Sequence, residues 1–473
     1  MKTLVMKFGG TSVGSPAAIR QAAAIIQQQK LNWDNLVVVV SAMSGVTNQL
    51  IQAARSAAEH HSQENGTLVD LIRQRHLDTI NDLIPSGSER DELLVTVGQR
   101  LDELTRYCQS IKVLGEVTAR GMDVISSLGE RINAQVVAAL LRTIGTPSLA
   151  VEATKLIITD RNFQNATPLM EASRLATRSG LMPLFEQNLV PVVTGFISAA
   201  EDGVITTLGR GGSDYTAAIL ADCLDADEVW IWTDVDGVLS ADPRVVKDAR
   251  PIPEISFAEV GELAYFGAKV LHPKTIRPVV ARSMPLWVKN TFNPDFPGTR
   301  ICQSPDRSSG EITAITTIKD LSILTVEGRG MLGVPGIAAR TFSAVARTGA
   351  SVLMISQSSS EQSICFTIPS EHSHSVIASI EDEMSLELHR GDIDRVWSRD
   401  NVVIVTVIGS GMRETPGVSA RIFGALGKAN INVIAIAQGS SEYGISLVLD
   451  QAEADRAVRA IHSEIMPAAR QED

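Results

Sequence analysis

Positive charge, paired cysteines and long apolar runs are what this sequence has little of. Its 473 residues carry 42 Lys and Arg against 54 Asp and Glu, a formal charge of -12, and the isoelectric point is near 5.3. Binding a nucleic-acid backbone needs a basic surface, so a nucleic-acid partner is not expected, and cations that meet an anionic ligand must be concentrated locally. Cys108, Cys223, Cys302 and Cys365 stand singly, without C-x-x-C spacing. They indicate neither a disulfide framework nor a zinc site, and a reduced, cytoplasmic chain is expected. No apolar run reaches the roughly 18 residues that span a bilayer. The opening "MKTLVMK" lacks the apolar core, about 7–15 residues long, of a secretory leader. No membrane partner is expected.

What is present is the composition of an ordinary globular protein, 44% hydrophobic and 20% charged. At about 150 residues per domain the length predicts two or three domains. Short β-branched runs alternate with helical patterns in the first half: "TLVMKF" (3–8), "NLVVVVSAM" (35–43), "LVPVVTGFI" (189–197), "EVWIWTD" (228–234) and "MPLWVKN" (284–290). Continuous apolar strands separated by helices predict a mainly parallel sheet between helix layers, a three-layer α/β sandwich with its ligands at the carboxyl ends of the strands. From about 49 to 125 the apolar residues fall at helical spacing, which predicts a helical insertion.

The stretch "NPDFPGTRICQSPDRSSG" (293–310) reads as a linker. Beyond it lies a repeat. A shift of 81 residues aligns 323–366 with 404–447, with 19 of 44 positions identical. Each copy runs strand, glycine turn, helix, strand, turn, strand, helix, the ferredoxin-like order. The second copy ends without a last strand, and "EITAITTIKD" (311–320) is expected to supply it, interlocking the copies. The boundaries expected are 1–305, 306–400 and 401–473. Gly328, Gly330 and Gly333 match G-x-G-x-x-G, but the second copy loses the third glycine and no acidic residue follows at the next strand end, so a dinucleotide site is not expected there.

The opening loop "KFGGTSVGS" (7–15) fits neither the dinucleotide nor the P-loop pattern. Ser15 is a good N-cap and Pro16 suits the first helical position. Gly9 and Gly10 therefore sit between strand end and helix start, where bare amides and a helix dipole can meet an anion beside Lys7; the plain alternative is a tight turn with a lysine on its rim. "TTLGRGGSDY" (206–215) repeats that design and adds Arg210, a planar fork for a carboxylate or phosphate, with Ser213 and Asp214 at the helix mouth. Asp214 alone could be an N-cap. "IWTDVDGVLSADPRVV" (231–246) supplies Thr233, Asp234, Asp236, Asp242 and Arg244 without EF-hand spacing. Lys269 in "YFGAKVLHP" alone would be a surface lysine, His272 a packing residue, and Glu130 in "SLGERINAQ" an acid after a glycine turn that complements a helix dipole.

Taken in order, "KFGGTSVG", "SAMSGVTN", "SLGER", "TTLGRGGSDY", "WTDVDG", "DPR" and "FGAKVLHP", followed by a doubled repeat, resemble the aspartokinases of the amino acid kinase superfamily over essentially the whole chain. The resemblance implies the amino acid kinase fold plus two ACT domains, and transfer of the ATP γ-phosphoryl group, with Mg²⁺, to the side-chain carboxylate of L-aspartate, the first step towards lysine, threonine and methionine. It places Lys7, Gly9, Gly10 and Ser12 at the ATP phosphates and Thr233, Asp234, Asp242, Arg244 and Lys269 around the nucleotide. Ser41, Thr47, Glu130, Arg210, Gly211 and Ser213 would hold aspartate, with Glu130 on the α-ammonium and Arg210 on the α-carboxylate. Lys7 and Asp214 would stand at the reacting centre, and no metal-ligating residue is assigned. Leu239 departs from the tyrosine some members carry near the adenine.

The paired repeat resembles amino-acid-sensing ACT domains, with Gln357 and Gln438 at equivalent strand ends as effector contacts. The "ISQSSSE" and "IAQGSSE" turns look most like the threonine-responsive type, with lysine the other candidate effector, and a homodimer or larger assembly is expected. The alternatives are a catalytically silent amino-acid sensor, a kinase for another small acid such as glutamate, or a fused homoserine dehydrogenase, for which the chain as given holds no second catalytic segment. Lys7→Ala is expected to lower kcat by orders of magnitude with the fold intact; near-normal turnover in a steady-state assay would remove Lys7 from the reacting centre.

Overall fold

The computed structural model describes residues 1–59, 62–268, 271, 273–306, 312–331, 336–357, 362–412, 414–438 and 443–465. The chain forms two compact units: Met1–Val238 with Pro251–Phe257 and Leu271–Pro305, and Leu239–Arg250 with Ala258–Val270 and Asp306–Asp473.

The strands of the first unit are β1 (Thr3–Phe8), β2 (Asn35–Val40), β3 (Ser148–Val151), β4 (Ile158–Thr159), β5 (Val190–Thr194), β6 (Ile197–Ala200), β7 (Ile205–Thr207), β8 (Glu228–Thr233), β9 (Glu254–Ser256), β10 (Leu286–Asn290) and β11 (Thr299–Cys302). Eight of them form one sheet in the order β3-β5-β2-β1-β8-β10-β11-β9. Every neighbouring pair is parallel except β10 with β11. The sandwich follows from β1 and β2, "TLVMKF" and "NLVVVV", which are buried at every position and must be covered on both faces. The helix Pro16–Lys30 starts where Ser15 accepts the Ala18 N–H, with Pro16 in its first turn. The expected helical insertion comprises Val46–Ala58, Ser62–Leu83, Ser88–Leu114 and Ala119–Ser126.

Three sequence readings are corrected. The run 189–197 is two strands, because Gly195 and Phe196 (φ +70°) break it; β6 leaves the main sheet for a small one ordered β4-β6-β7. The stretch read as a linker contains β11, whose Ile301 is fully buried and whose Thr299 hydroxyl accepts the Val238 N–H at 2.8 Å. The glycine of "SLGER" makes no turn: Gly129 is inside the helix Leu128–Thr143, where a Cβ would lie 2.6 Å from that of Ala42.

The second unit holds β12 (Ile312–Glu327), β13 (Met354–Gln357), β14 (Ser363–Pro369), β15 (Arg395–Gly409), β16 (Ala435–Gln438) and β17 (Gly444–Asp450). They form one antiparallel sheet in the order β13-β14-β12-β15-β17-β16. The two long strands serve both repeats: Ile312–Ile318 pairs with Ile404–Gly409 of the second copy, while Ile323–Glu327 pairs with Arg395–Arg399 beside the first. Each strand changes partner region at an irregularity marked by a left-handed residue, Asp320 (φ +62°) in one and Asn401 (φ +56°) in the other. These positions are equivalent in the repeat, and Asp and Asn tolerate that conformation best among residues with a side chain.

Two segments that precede residue 306 belong to this unit. Ala241 and Val246 share a core with Val403, Val405 and Ile422, and the Ser240 hydroxyl lies 3.0 Å from His462 Nε2. Phe266 packs with Leu321, Ile323, Val402 and Val448, and the Thr313 hydroxyl donates to Glu259 Oε1 at 2.6 Å.

Gly328 and Gly330 press on the turn at 392–394: a Cβ on Gly328 would lie 2.4 Å from the Asp392 carbonyl oxygen. Close packing is thus the reason for these two glycines of the dinucleotide-like match; the third, Gly333, is outside the described residues. Gly328→Ala is expected to cost about 1–3 kcal/mol of stability through overpacking and to leave nucleotide affinity unchanged, as thermal melts and ADP titration will show.

Candidate active site

The site begins at the carboxyl end of β1. Lys7 lies on that strand, 9% exposed, because a strand buried on both faces leaves its last side chains only the rim of the sheet. Its Nζ is 2.6 Å from Asp214 Oδ1. Asp214 is not the N-cap; that place is taken by Gly211 (φ +71°), and Asp214 stands in the first turn of the helix Gly212–Leu224. The two side chains are 11% and 18% exposed, so removing one partner strands a largely buried charge. A cost of about 3–5 kcal/mol is typical for such a break. The expectation that Lys7→Ala leaves the fold untouched is therefore corrected.

The glycine loop is sorted by its hydrogen bonds. Gly9 N–H donates to the Trp232 carbonyl at 3.1 Å and is used inside the fold. The Ser12 hydroxyl is fully buried, donates to the same carbonyl at 3.2 Å and accepts from Thr291 at 2.7 Å. Among the described residues the N–H groups of Gly10, Thr11 and Ser12 donate to no protein group, which leaves three successive amides for an anion. Arg75, from the helix Ser62–Leu83, donates to the carbonyls of Ser44 at 2.8 Å and Gly14 at 2.9 Å and ties this loop to the one after β2.

Glu130 stands in the first turn of Leu128–Thr143, 3% exposed. Burial pushes its carboxyl up to about 8, against hydrogen bonds from the backbone of Ala42 and of Glu130 itself, and its Oε2 has no partner. One turn on, Asn133 is fully buried and donates Nδ2 to the Ser41 carbonyl at 2.7 Å. Thr47 is half-buried near the start of Val46–Ala58, behind Gly45 (φ +81°). Ser213 is 8% exposed and fills the space that a side chain at Gly195 would need. Arg210 is exposed and, among the described residues, makes no hydrogen bond or ion pair. Its loop follows β7, where Asp123 accepts Thr207 N–H at 3.1 Å, Thr207 Oγ1 at 2.8 Å and Gln164 N–H at 3.0 Å. Burial raises the Asp123 carboxyl despite these donors.

At the end of β8, Thr233 donates to Asp234 Oδ1 at 3.1 Å, and Asn290 and Asn293 hold Asp236 at 2.8 and 3.0 Å. Asp242, Arg244 and Leu239 belong to the second unit. There the Arg244 guanidinium grips Asp242 and holds that carboxyl below its usual range. Lys269 and His272 are outside the described residues. Gln357 and Gln438 end β13 and β16, both exposed, and the Ser356 hydroxyl donates to the Ile436 carbonyl at 3.3 Å, so these two edge strands approach one another. None of the four cysteines forms a disulfide. Among the described residues no three His, Cys, Asp or Glu cluster as a metal site, and no helix is long and apolar enough to cross a membrane.

Sequence reasoning missed Arg75, Asp123 and Asn133. An arginine or an acid on an amphipathic helix carries no local signal of what it will brace, and Asn133 stood unremarked inside "SLGERINAQ".

The pattern of the amino acid kinase family covers residues 2–290, and that of the ACT domain covers 324–384 and 405–465. The first unit and its anion loops thus define an amino acid kinase, here joined to paired ACT domains. E. coli aspartokinase III in complex with aspartate and ADP superposes with a TM-score of 0.80 at 30% identity, covering 98% of this chain and 100% of that one. Aspartokinase 3, chloroplastic, of Arabidopsis thaliana is 35% identical over 98% of this chain and 81% of its own length. A bifunctional aspartokinase/homoserine dehydrogenase of Zea mays is 38% identical over 97% of this chain and 50% of its own. The chain belongs to the aspartokinases. It spans about half the length of the bifunctional relatives it matches.

Between pH 4.5 and about 8 the folded chain keeps on Glu130 a proton that the unfolded chain has released, so this group's contribution to stability is full below pH 4.5 and is lost as pH rises to about 8. In the ligand-free protein Glu130→Gln is expected to raise the melting temperature at pH 8.5 and to flatten this part of the pH dependence. An unaltered slope would mean that Glu130 is ionised throughout.

Proposed function

We propose that the chain transfers the γ-phosphoryl group of ATP to the side-chain carboxylate of L-aspartate, giving 4-phospho-L-aspartate and ADP. The observation that carries this reading is the Lys7–Asp214 ion pair beside three free amides at the end of the central strand. A carboxylate oxygen attacks Pγ, the bond from Pγ to the β,γ-bridging oxygen breaks, and its electron pair leaves on ADP. The nucleophile is already an anion, so no general base is needed, and the obstacle is repulsion between two anions.

The chain's own groups meet that obstacle. The amides of Gly10, Thr11 and Ser12 receive phosphate oxygens, and Lys7 places a cation between donor and acceptor. Asp214 fixes Lys7 rather than accepting a proton. Arg210, without a partner among the described residues, takes the α-carboxylate as a fork, and Glu130 takes the α-ammonium, with Ser41, Thr47, Gly211 and Ser213 lining the same pocket. Thr233 and Asp234 stand on the nucleotide side, and Asp242, Arg244 and Lys269 are assigned there by motif. The described residues offer no carboxylate cluster of their own, which fits Mg²⁺ held by the nucleotide's phosphates and water; it supplies further charge neutralisation when bound.

The ACT pair is the regulatory part of this reading, with L-threonine as feedback inhibitor at the strand ends marked by Gln357 and Gln438, and with assembly into a dimer or larger oligomer. Lysine is the second candidate, since E. coli aspartokinase III has been seen in complex with lysine and aspartate. A cytoplasmic location belongs to the same proposal.

Aspartate-dependent ADP release with hydroxylamine trapping of the acyl phosphate tests the activity, and folded protein that yields no hydroxamate overturns it. Lys7→Met should lower kcat at least about 100-fold, the scale of one lost charge-stabilising group. Threonine added to that assay should inhibit and lysine should not; indifference to threonine removes the effector assignment.

A further inference from the structure

Among the described residues two buried oxygens on one helical turn lack donors: Glu130 Oε2 and Asn133 Oδ1. A spacing of three residues puts both side chains on the same face of Leu128–Thr143. The amide of Asn133 is oriented by its own bond, because Nδ2 donates to the Ser41 carbonyl at 2.7 Å and the carbonyl end is thereby left as the free acceptor. A buried acceptor left without a donor costs about 1–3 kcal/mol. Two such acceptors, one of them on a carboxyl group, one turn apart on the same helix face call for a group that brings several N–H donors and a positive charge.

We propose that Asn133 is a specificity residue of the amino-acid pocket, its Oδ1 receiving the α-ammonium of the substrate together with Glu130 Oε2. This rests on the reading of the site as one for a free acidic amino acid. It explains how a pocket recognises an unmodified amino group rather than the dicarboxylate alone. The Ser41 carbonyl sets the Asn133 amide, so the loop after β2 and the helix face are tuned to each other.

The test compares L-aspartate with succinate, which has both carboxylates and no ammonium. Wild-type protein is first shown to form the acyl phosphate from aspartate; if it does not, the functional reading fails, whatever Asn133 does. KM for aspartate and Ki for succinate are then measured in Asn133→Leu and Asn133→Asp. In Asn133→Leu the KM for aspartate should rise about 10–100-fold, the effect of losing a hydrogen bond to a charged group, while Ki for succinate and KM for ATP stay within about twofold. Asn133→Asp retains an acceptor and should keep the preference for aspartate. Equal losses for aspartate and succinate in Asn133→Leu would show a structural role and overturn the proposal, as would loss of the preference in Asn133→Asp. Should the leucine variant not fold, Asn133→Ala, smaller and likewise without a side-chain acceptor, takes its place with the same criteria.

Discussion

A full positive charge has to stand at the end of a strand that is buried on both faces, and the ion pair of Lys7 with Asp214 is what makes that possible. Lys7 reaches the rim of the sheet because β1 lies in its middle, flanked by β2 and β8. Asp214 reaches Lys7 because Gly211, in a left-handed conformation, starts the next helix at that point. The same construction fixes the amides: the Trp232 carbonyl takes Gly9 N–H and the Ser12 hydroxyl, and among the described residues the N–H groups of Gly10, Thr11 and Ser12 donate to no protein group. Charge and amides are held before any ligand arrives, and preorganisation of this kind is the main catalytic resource in phosphoryl transfer.

The first turn of Leu128–Thr143 is built on the opposite principle. Among the described residues Glu130 Oε2 and Asn133 Oδ1 have no partner, at a cost to the fold. Burial keeps Glu130 protonated into the neutral range, so a cationic group entering beside it lets that carboxyl ionise and supplies the missing donor. Stability and recognition pull against each other at this turn, as they commonly do where function leaves buried polar groups unpaired.

The second unit shows how a repeat can be read correctly and still conceal its connections. The 81-residue shift, the strand order of each copy and the paired glutamines were legible because identical turns recur at fixed intervals. That β12 and β15 are single long strands, each pairing with both halves of the other, was visible only in part, since a one-residue irregularity at Asp320 or Asn401 has no periodic signature. The attachment of 239–250 and 258–270 to this unit left no signal at all. Ala241, Val246 and Phe266 are apolar residues whose burial partners lie far along the chain.

The sequence by itself determined the parallel sandwich, the helical insertion, the doubled ferredoxin-like fold and the identity of the charged residues, because periodicity and glycine placement are local properties of the chain. Only the tertiary structure decided which of those groups are free. Among the described residues Lys7 is paired and Arg210 is not, Ser12 gives up its hydroxyl internally, and Asn133 Oδ1 has no partner. Whether a polar atom finds a partner depends on atoms brought from distant segments, and spacing along a chain carries no record of that meeting.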